Sequence, residues 1–141
     1  MYRVQFQAFG HENIIAEHNT TLELTSEDFL TRRGTCIVGI CSTLTLSELS
    51  AEIKQLVKLD TTKIILTMST ADVVETVTGK GGSGLTYSDT VSMVARTSSY
   101  QCGRTLMIDS DKAASDLSRE FVNKLKSKDT VLDCELQFIT L

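Results

Sequence analysis

The stretch Gln101–Leu125, QCGRTLMIDSDKAASDLSREFVNKL, decides how the chain is read, because a short apolar run passes through an acidic turn into a helical pattern. Leu106, Met107 and Ile108 are too few for a helix and too apolar for a loop, which predicts an inner strand. Asp109, Ser110 and Asp111 follow, each able to accept hydrogen bonds from the unpaired N–H groups of a first helical turn. From Ala113 onward Ala114, Leu117, Phe121 and Leu125 recur at the spacing of one helix face. Lys124, Lys126 and Lys128 gather where the helix ends, which suits the negative end of its dipole. A strand that feeds a helix through a polar turn offers free N–H groups to an anion, and Arg104 and Lys112 stand on either side of this one. The plainer reading is that Asp109 and Asp111 cap the helix while Arg104 pairs with one of them.

Upstream, Tyr2, Val4, Phe6 and Ala8 alternate with polar residues as in a half-buried strand. After a turn at Gly10–Asn13, the even positions from Ile14 to Leu24 share one face. This predicts a hairpin of two strands, with His18 on the apolar side of the second. Thr25 and Asp28 have the spacing of a short capped turn, and Thr35–Cys41 is apolar on both faces, as an inner strand is. Thr45 and Glu48 form a capping box ahead of a helix whose stripe is Leu46, Leu49, Ile53 and Leu56. A strand around Ile64–Met68 follows. Val73–Thr78 and Val91–Arg96 read as two more, joined by the glycine loop Gly79–Gly84, and a last strand alternates from Leu132 to Phe138. About eight strands and two helices make a mainly β (α+β) fold, a β-sandwich or closed antiparallel sheet. No internal repeat is visible.

With 141 residues the chain is expected to form a single domain, 1–141, able to bury a proper core. The net charge of −4 and 6% aromatic content argue against a nucleic-acid surface. No apolar run approaches the roughly 20 residues that span a bilayer, and MYRVQFQAFG alternates instead of forming a leader, so a cytoplasmic protein is expected. Cys36, Cys41, Cys102 and Cys134 lack the close pairs of a zinc ribbon and read as reduced, buried thiols.

Gly79-Lys80-Gly81-Gly82-Ser83-Gly84 matches G-x-G-x-x-G, but that pattern cradles pyrophosphate only where a helix opens at the last glycine, and none is predicted here. His11 and His18 with Cys36 or Cys102 supply metal-ligand types without a diagnostic spacing, so no metal is predicted. A hydrolase triad lacks its nucleophile elbow. Arg32 and Arg33 precede an inner strand, where a guanidinium pair can clamp a carboxylate or phosphate, and Arg96 joins them only if the fold gathers the loops.

Three blocks carry a family resemblance: Gly10-His11 with Asn13-Ile14, Ala16, His18, Thr20-Thr21 and Glu23; Arg33 to Gly39; and Arg104-Thr105-Leu106 with Asp111 to Ala114. Over nearly its whole length the chain resembles the uncharacterised archaeal domain-of-unknown-function family 371. Where the family pattern has proline after Gly-His and before Arg-Gly, this chain has Glu12 and Arg32. The resemblance implies an archaeal cytoplasmic protein with a mainly β sandwich, and it brings no reaction or cofactor.

The expected function is therefore binding of a small anionic or nucleotide-like ligand through Arg33, Arg104 and Lys112 at the helix start by Asp111. His11, His18 and Asp111 are the candidates for proton transfer, and the sequence specifies no cofactor. Two alternatives stand beside this reading. One is an enzyme using histidine as acid–base or metal ligand. The other is an assembly subunit, a homo-oligomer included, that pairs through an exposed sheet edge.

Overall fold

The computed structural model describes residues 1–140. Eight strands form in chain order: β1 (Tyr2–Phe9), β2 (Thr21–Thr25), β3 (Ile37–Gly39), β4 (Thr62–Ser69), β5 (Val74–Lys80), β6 (Ser92–Arg96), β7 (Thr105–Met107) and β8 (Val131–Thr140). Helix α1 (Ala51–Leu56) precedes β4 and α2 (Arg119–Lys124) precedes β8, each behind a single 3₁₀ turn. The mainly β architecture with two helices is as the sequence predicts. One sheet has the order β1-β8-β4-β5 and is antiparallel throughout. The other has the order β3-β2-β6-β7, with parallel outer pairs around an antiparallel centre. The sheets meet at both edges, where Phe9 pairs with Ile40 and Lys80 with Ile108. The inward residues Ile64, Leu66, Met68, Leu136 and Phe138 meet Leu22, Leu24 and Leu106 in one core. Tyr87 is buried there with its hydroxyl donating to Leu106 O at 2.7 Å.

The chain is an internal repeat, contrary to the sequence reading. β1-β2-β3-α1-β4 and β5-β6-β7-α2-β8 have the same element order. Ile40, Ser42, Ser47, Leu49, Ser50, Glu52, Lys58 and Thr62 recur at the same spacing as Ile108, Ser110, Ser115, Leu117, Ser118, Glu120, Lys126 and Thr130. Hydrogen bonds repeat as well. Ser26 N–H donates to Val91 O at 2.8 Å and Thr97 N–H to Thr20 O at 3.0 Å. The pseudo-twofold axis thus passes between Glu23 and Val94 in one sheet and between Thr67 and Glu135 in the other. These identities fall mostly on caps and turn residues, which hydrophobic periodicity does not register.

The halves interlock. Gly10 N–H donates to Thr130 O and His11 N–H to Leu125 O, at the end of α2. Gly81 N–H and Gly82 N–H donate to Thr62 O and Val57 O in the same way, at the end of α1. The predicted hairpin does not form, because β1 and β2 lie in different sheets, as do β5 and β6. Residues between Gly10 and Thr20 form a connection that crosses to the second sheet, and the left-handed Ala16 (φ 51°), matched by Tyr87 (φ 50°), breaks the strand there. The turn at Thr25 is capped by Glu27 N–H to Thr25 Oγ1, with no helix following. The capping box at Thr45–Glu48 closes a 3₁₀ turn, and each α-helix begins at its own serine cap, Ser50 or Ser118.

Candidate functional site

The residues nominated from sequence are dispersed. Arg33 and Arg104 are exposed and precede β3 and β7, which are opposite edges of one sheet. Three strand spacings, about 14 Å, separate those edges. α2 begins at Ser118, so neither Asp109 nor Asp111 caps it. Asp111 instead accepts Thr78 N–H at 2.9 Å and fastens the edge of β5. Lys112 Nζ lies 3.2 Å from Glu75 Oε1, and Glu75 Oε2 accepts Ser118 N–H, so this lysine is held by the carboxylate that seats on the helix. His11 Nδ1 accepts Asn13 N–H, and His18 Nδ1 accepts the N–H groups of Thr20 and Thr21, which leaves Nε2 of each ring to carry the proton. The glycine loop is a packing device: a Cβ on Gly81 would meet Val57 O at 2.3 Å.

A different set converges on the outer face of the β3-β2-β6-β7 sheet. Arg96, at the end of β6, is half-buried. Its Nε donates to Thr105 Oγ1 at 2.9 Å, Nη2 lies 3.6 Å from Cys102 Sγ, and its guanidinium stacks 4.8 Å from the Tyr100 ring centroid. Thr105 is fully buried and its Oγ1 also accepts Cys102 N–H at 3.2 Å, so one hydroxyl fixes both the arginine and the thiol. Burial alone would raise the Cys102 thiol. Hydrogen bonds from Thr105, Arg104 N–H and Arg96, with the charge of Arg96, outweigh it and hold the thiol below its ordinary value. The four ion pairs among the described residues do not include Arg96.

Beside this corner, on the pseudo-twofold axis, stands Glu23, only 9% exposed. Its carboxylate accepts Ser92 Oγ–H at 2.9 Å and faces the Cys36 thiol at 3.5 Å, and it belongs to none of the ion pairs among the described residues. Burial and the nearby Glu23 carboxylate push that thiol up to about 11. Its equivalent in the other half is Val94, so the fold does not require a carboxylate at this point. Similarly, the equivalent of Arg96 is Thr25: Ser42 N–H donates to Thr25 O as Ser110 N–H does to Arg96 O. The guanidinium corner therefore occurs once per chain.

The corner combines a strand end, a crossover and a separate strand. Of its members the sequence singles out Cys102, as a metal-ligand type, and Arg96 conditionally, with Arg104 next to Thr105 in the chain; it passes over Tyr100 and Thr105. The available signal was the absence of acids from Thr97–Gly103, TSSYQCG, between two arginines. A groove of about 580 Å³ lies elsewhere, against the end of α2, lined by His11, Glu12, Asp28, Lys126, Lys128 and Asp129. Its three carboxylates offset its two lysines. Among the described residues no group of three His, Cys, Asp or Glu is placed to hold a metal ion.

The sequence model of the family described as "Domain of unknown function (DUF371)" matches residues 6–139. An uncharacterized protein of Methanocaldococcus jannaschii is 42% identical over 120 residues, which cover 85% of this chain and 88% of that protein. No helix among the described residues is long and apolar enough to cross a membrane.

Proposed function

The chain belongs to the DUF371 family, and we propose that it binds a small anionic ligand at the corner formed by Arg96, Thr105 and Tyr100. The observation that carries this reading is the state of Arg96. Thr105 and Tyr100 hold its guanidinium in place, and no carboxylate among the described residues pairs with it. A guanidinium has five N–H donors, of which Thr105 takes one and Cys102 faces another, leaving three for an oxyanion in fork geometry. Arg104 is exposed just before β7 and touches Cys102 through its backbone N–H; its guanidinium is proposed as a second cation for the ligand. Arg33 and Lys112, expected from the sequence to share the site, stand outside this corner.

The reading is tested by titrating the protein with inorganic phosphate and following binding by calorimetry. Arg96→Ala is expected to weaken binding at least about tenfold, the scale of a lost charge-assisted pair. Arg33→Ala is expected to leave it unchanged. Equal affinity in wild type and Arg96→Ala rejects the site.

A further inference from the structure

Resting on the anion site just proposed, we infer that the anion carries a flat unsaturated ring, and that a nucleoside monophosphate is the smallest ligand of that class. The ring would lie on the open face of Tyr100, with the phosphate on Arg96 and Arg104. Tyr100 is 61% exposed, as is its counterpart Phe29 in the other half at 62%, while Phe6, Tyr87, Phe121 and Phe138 are buried; what sets Tyr100 apart is the guanidinium against its ring. One face of its ring is taken by the Arg96 guanidinium at 4.8 Å. A ring with a cation on one face and water on the other is a stacking platform, and burying a second flat ring there removes apolar area from water on both partners.

The surroundings favour a phosphorylated ring over a bare aromatic. The crossover Thr97–Gly103 contains hydroxyls and an amide and no acid, so nothing within it repels a phosphate. Of the acids around it, Asp109, whose N–H donates to Ser98 O, has its carboxylate paired with Lys80 at 3.4 Å, and Glu23 beside the corner is buried and accepts Ser92 Oγ–H. Ser98 and Ser99 are exposed beside Tyr100, within reach of ribose hydroxyls. The corresponding crossover of the other half carries Glu27 and Asp28, and Thr25 replaces Arg96, so the pair of ring and guanidinium is confined to the second half.

The test compares adenosine monophosphate, ribose phosphate and inorganic phosphate by calorimetry on the intact chain. Stacking on an aromatic predicts that adenosine monophosphate binds about tenfold or more tighter than ribose phosphate. Tyr100→Ala should bring that ratio to about one, and Tyr100→Phe should keep it. Both substitutions are at an exposed position, and the thermal midpoint reports that the fold is retained. A ratio near one in the wild type overturns the ring assignment and leaves the anion site standing, as does a ratio that survives Tyr100→Ala. Failure of all three phosphates to bind overturns both.

Discussion

His18 and Asp89 stand at equivalent points of the two halves and do the same work with different chemistry. His18 Nδ1 accepts the N–H groups of Thr20 and Thr21, both at 3.2 Å, and Asp89 Oδ2 accepts those of Val91 and Ser92 at 3.0 and 2.7 Å. Each residue also offers its backbone carbonyl to the 3₁₀ turn of the other half, His18 O to Ser115 N–H and Asp89 O to Ser47 N–H. An acceptor is needed before each central strand to satisfy amides that no ladder reaches. The imidazole supplies it in one half and a carboxylate in the other.

His18→Asp should therefore be nearly neutral, within about 0.5 kcal/mol of the wild type, whereas His18→Ala should cost about 1 kcal/mol, the loss expected for a cap-like acceptor. Urea denaturation of both variants decides the matter. An aspartate as harmful as alanine would mean that the ring serves some other purpose.

Gly10→Ala and Gly81→Ala should each be severely destabilising, by more than about 3 kcal/mol, or prevent folding. A Cβ on Gly10 would meet Ser127 O at 2.2 Å and Leu125 O at 2.4 Å, and one on Gly81 would meet Val57 O at 2.3 Å and Leu59 O at 2.4 Å. Those carbonyls end the two helices and cannot withdraw without opening the contact that locks the halves together. Gly103→Ala is the control. Its Cβ would meet Ser88 Oγ at 2.4 Å, a side chain that can rotate away. Thermal midpoints of the three variants should separate the two interlocking positions from the control.

Strand alternation was legible wherever one face meets the core, as in β1 and β8, and so was the β class. The connections were not. Ile14 to Leu24 alternate as a strand does, yet Ala16 turns left-handed and only Thr21–Thr25 joins a sheet. The acidic turn misled because Asp111 satisfies an edge amide on Thr78, across the seam where β5 meets the other sheet, that no local pattern announces. The serine caps Ser50 and Ser118 were in view but were absorbed into longer helical stripes. Of the site, Arg104 was legible as an exposed cation before a strand. The partnership of Arg96 with Thr105 and Tyr100 was not, since it depends on a crossover folding back over its own sheet.

The cysteines should differ in reactivity and in their effect on alkaline stability. Burial, with Glu23 nearby, pushes Cys36 up to about 11, and burial, with Asp133 nearby, pushes Cys134 up to about 12, while Cys102 is held below its ordinary value. Iodoacetamide near neutral pH should therefore label Cys102 at least about tenfold faster than Cys36 or Cys134, as peptide mass mapping would show. The folded state holds the protons of Cys36 and Cys134 more tightly than the unfolded chain, whose thiols ionise near about 8.5. Their contribution to stability is full below that pH and is lost as pH rises through the folded values. The urea midpoint should fall between about pH 9 and 11, less steeply in Cys36→Val; an unchanged slope would contradict the assignment.

Thr105 should act as a positioning residue for the proposed anion site. Its hydroxyl is buried, accepts Arg96 Nε–H at 2.9 Å and accepts Cys102 N–H at 3.2 Å. Thr105→Val keeps the shape of the side chain and strands both donors, so stability should fall by about 1–2 kcal/mol and the guanidinium should lose its fixed orientation. Phosphate affinity is expected to drop about tenfold under conditions where the variant remains folded. Thr105→Ser restores the acceptor with one methyl fewer; it should recover phosphate affinity even though packing remains impaired. The two measurements separate the roles. If serine rescues neither affinity nor stability, the methyl matters more than the hydroxyl. If valine loses stability but binds phosphate as tightly as the wild type, Arg96 does not need Thr105 to hold an anion.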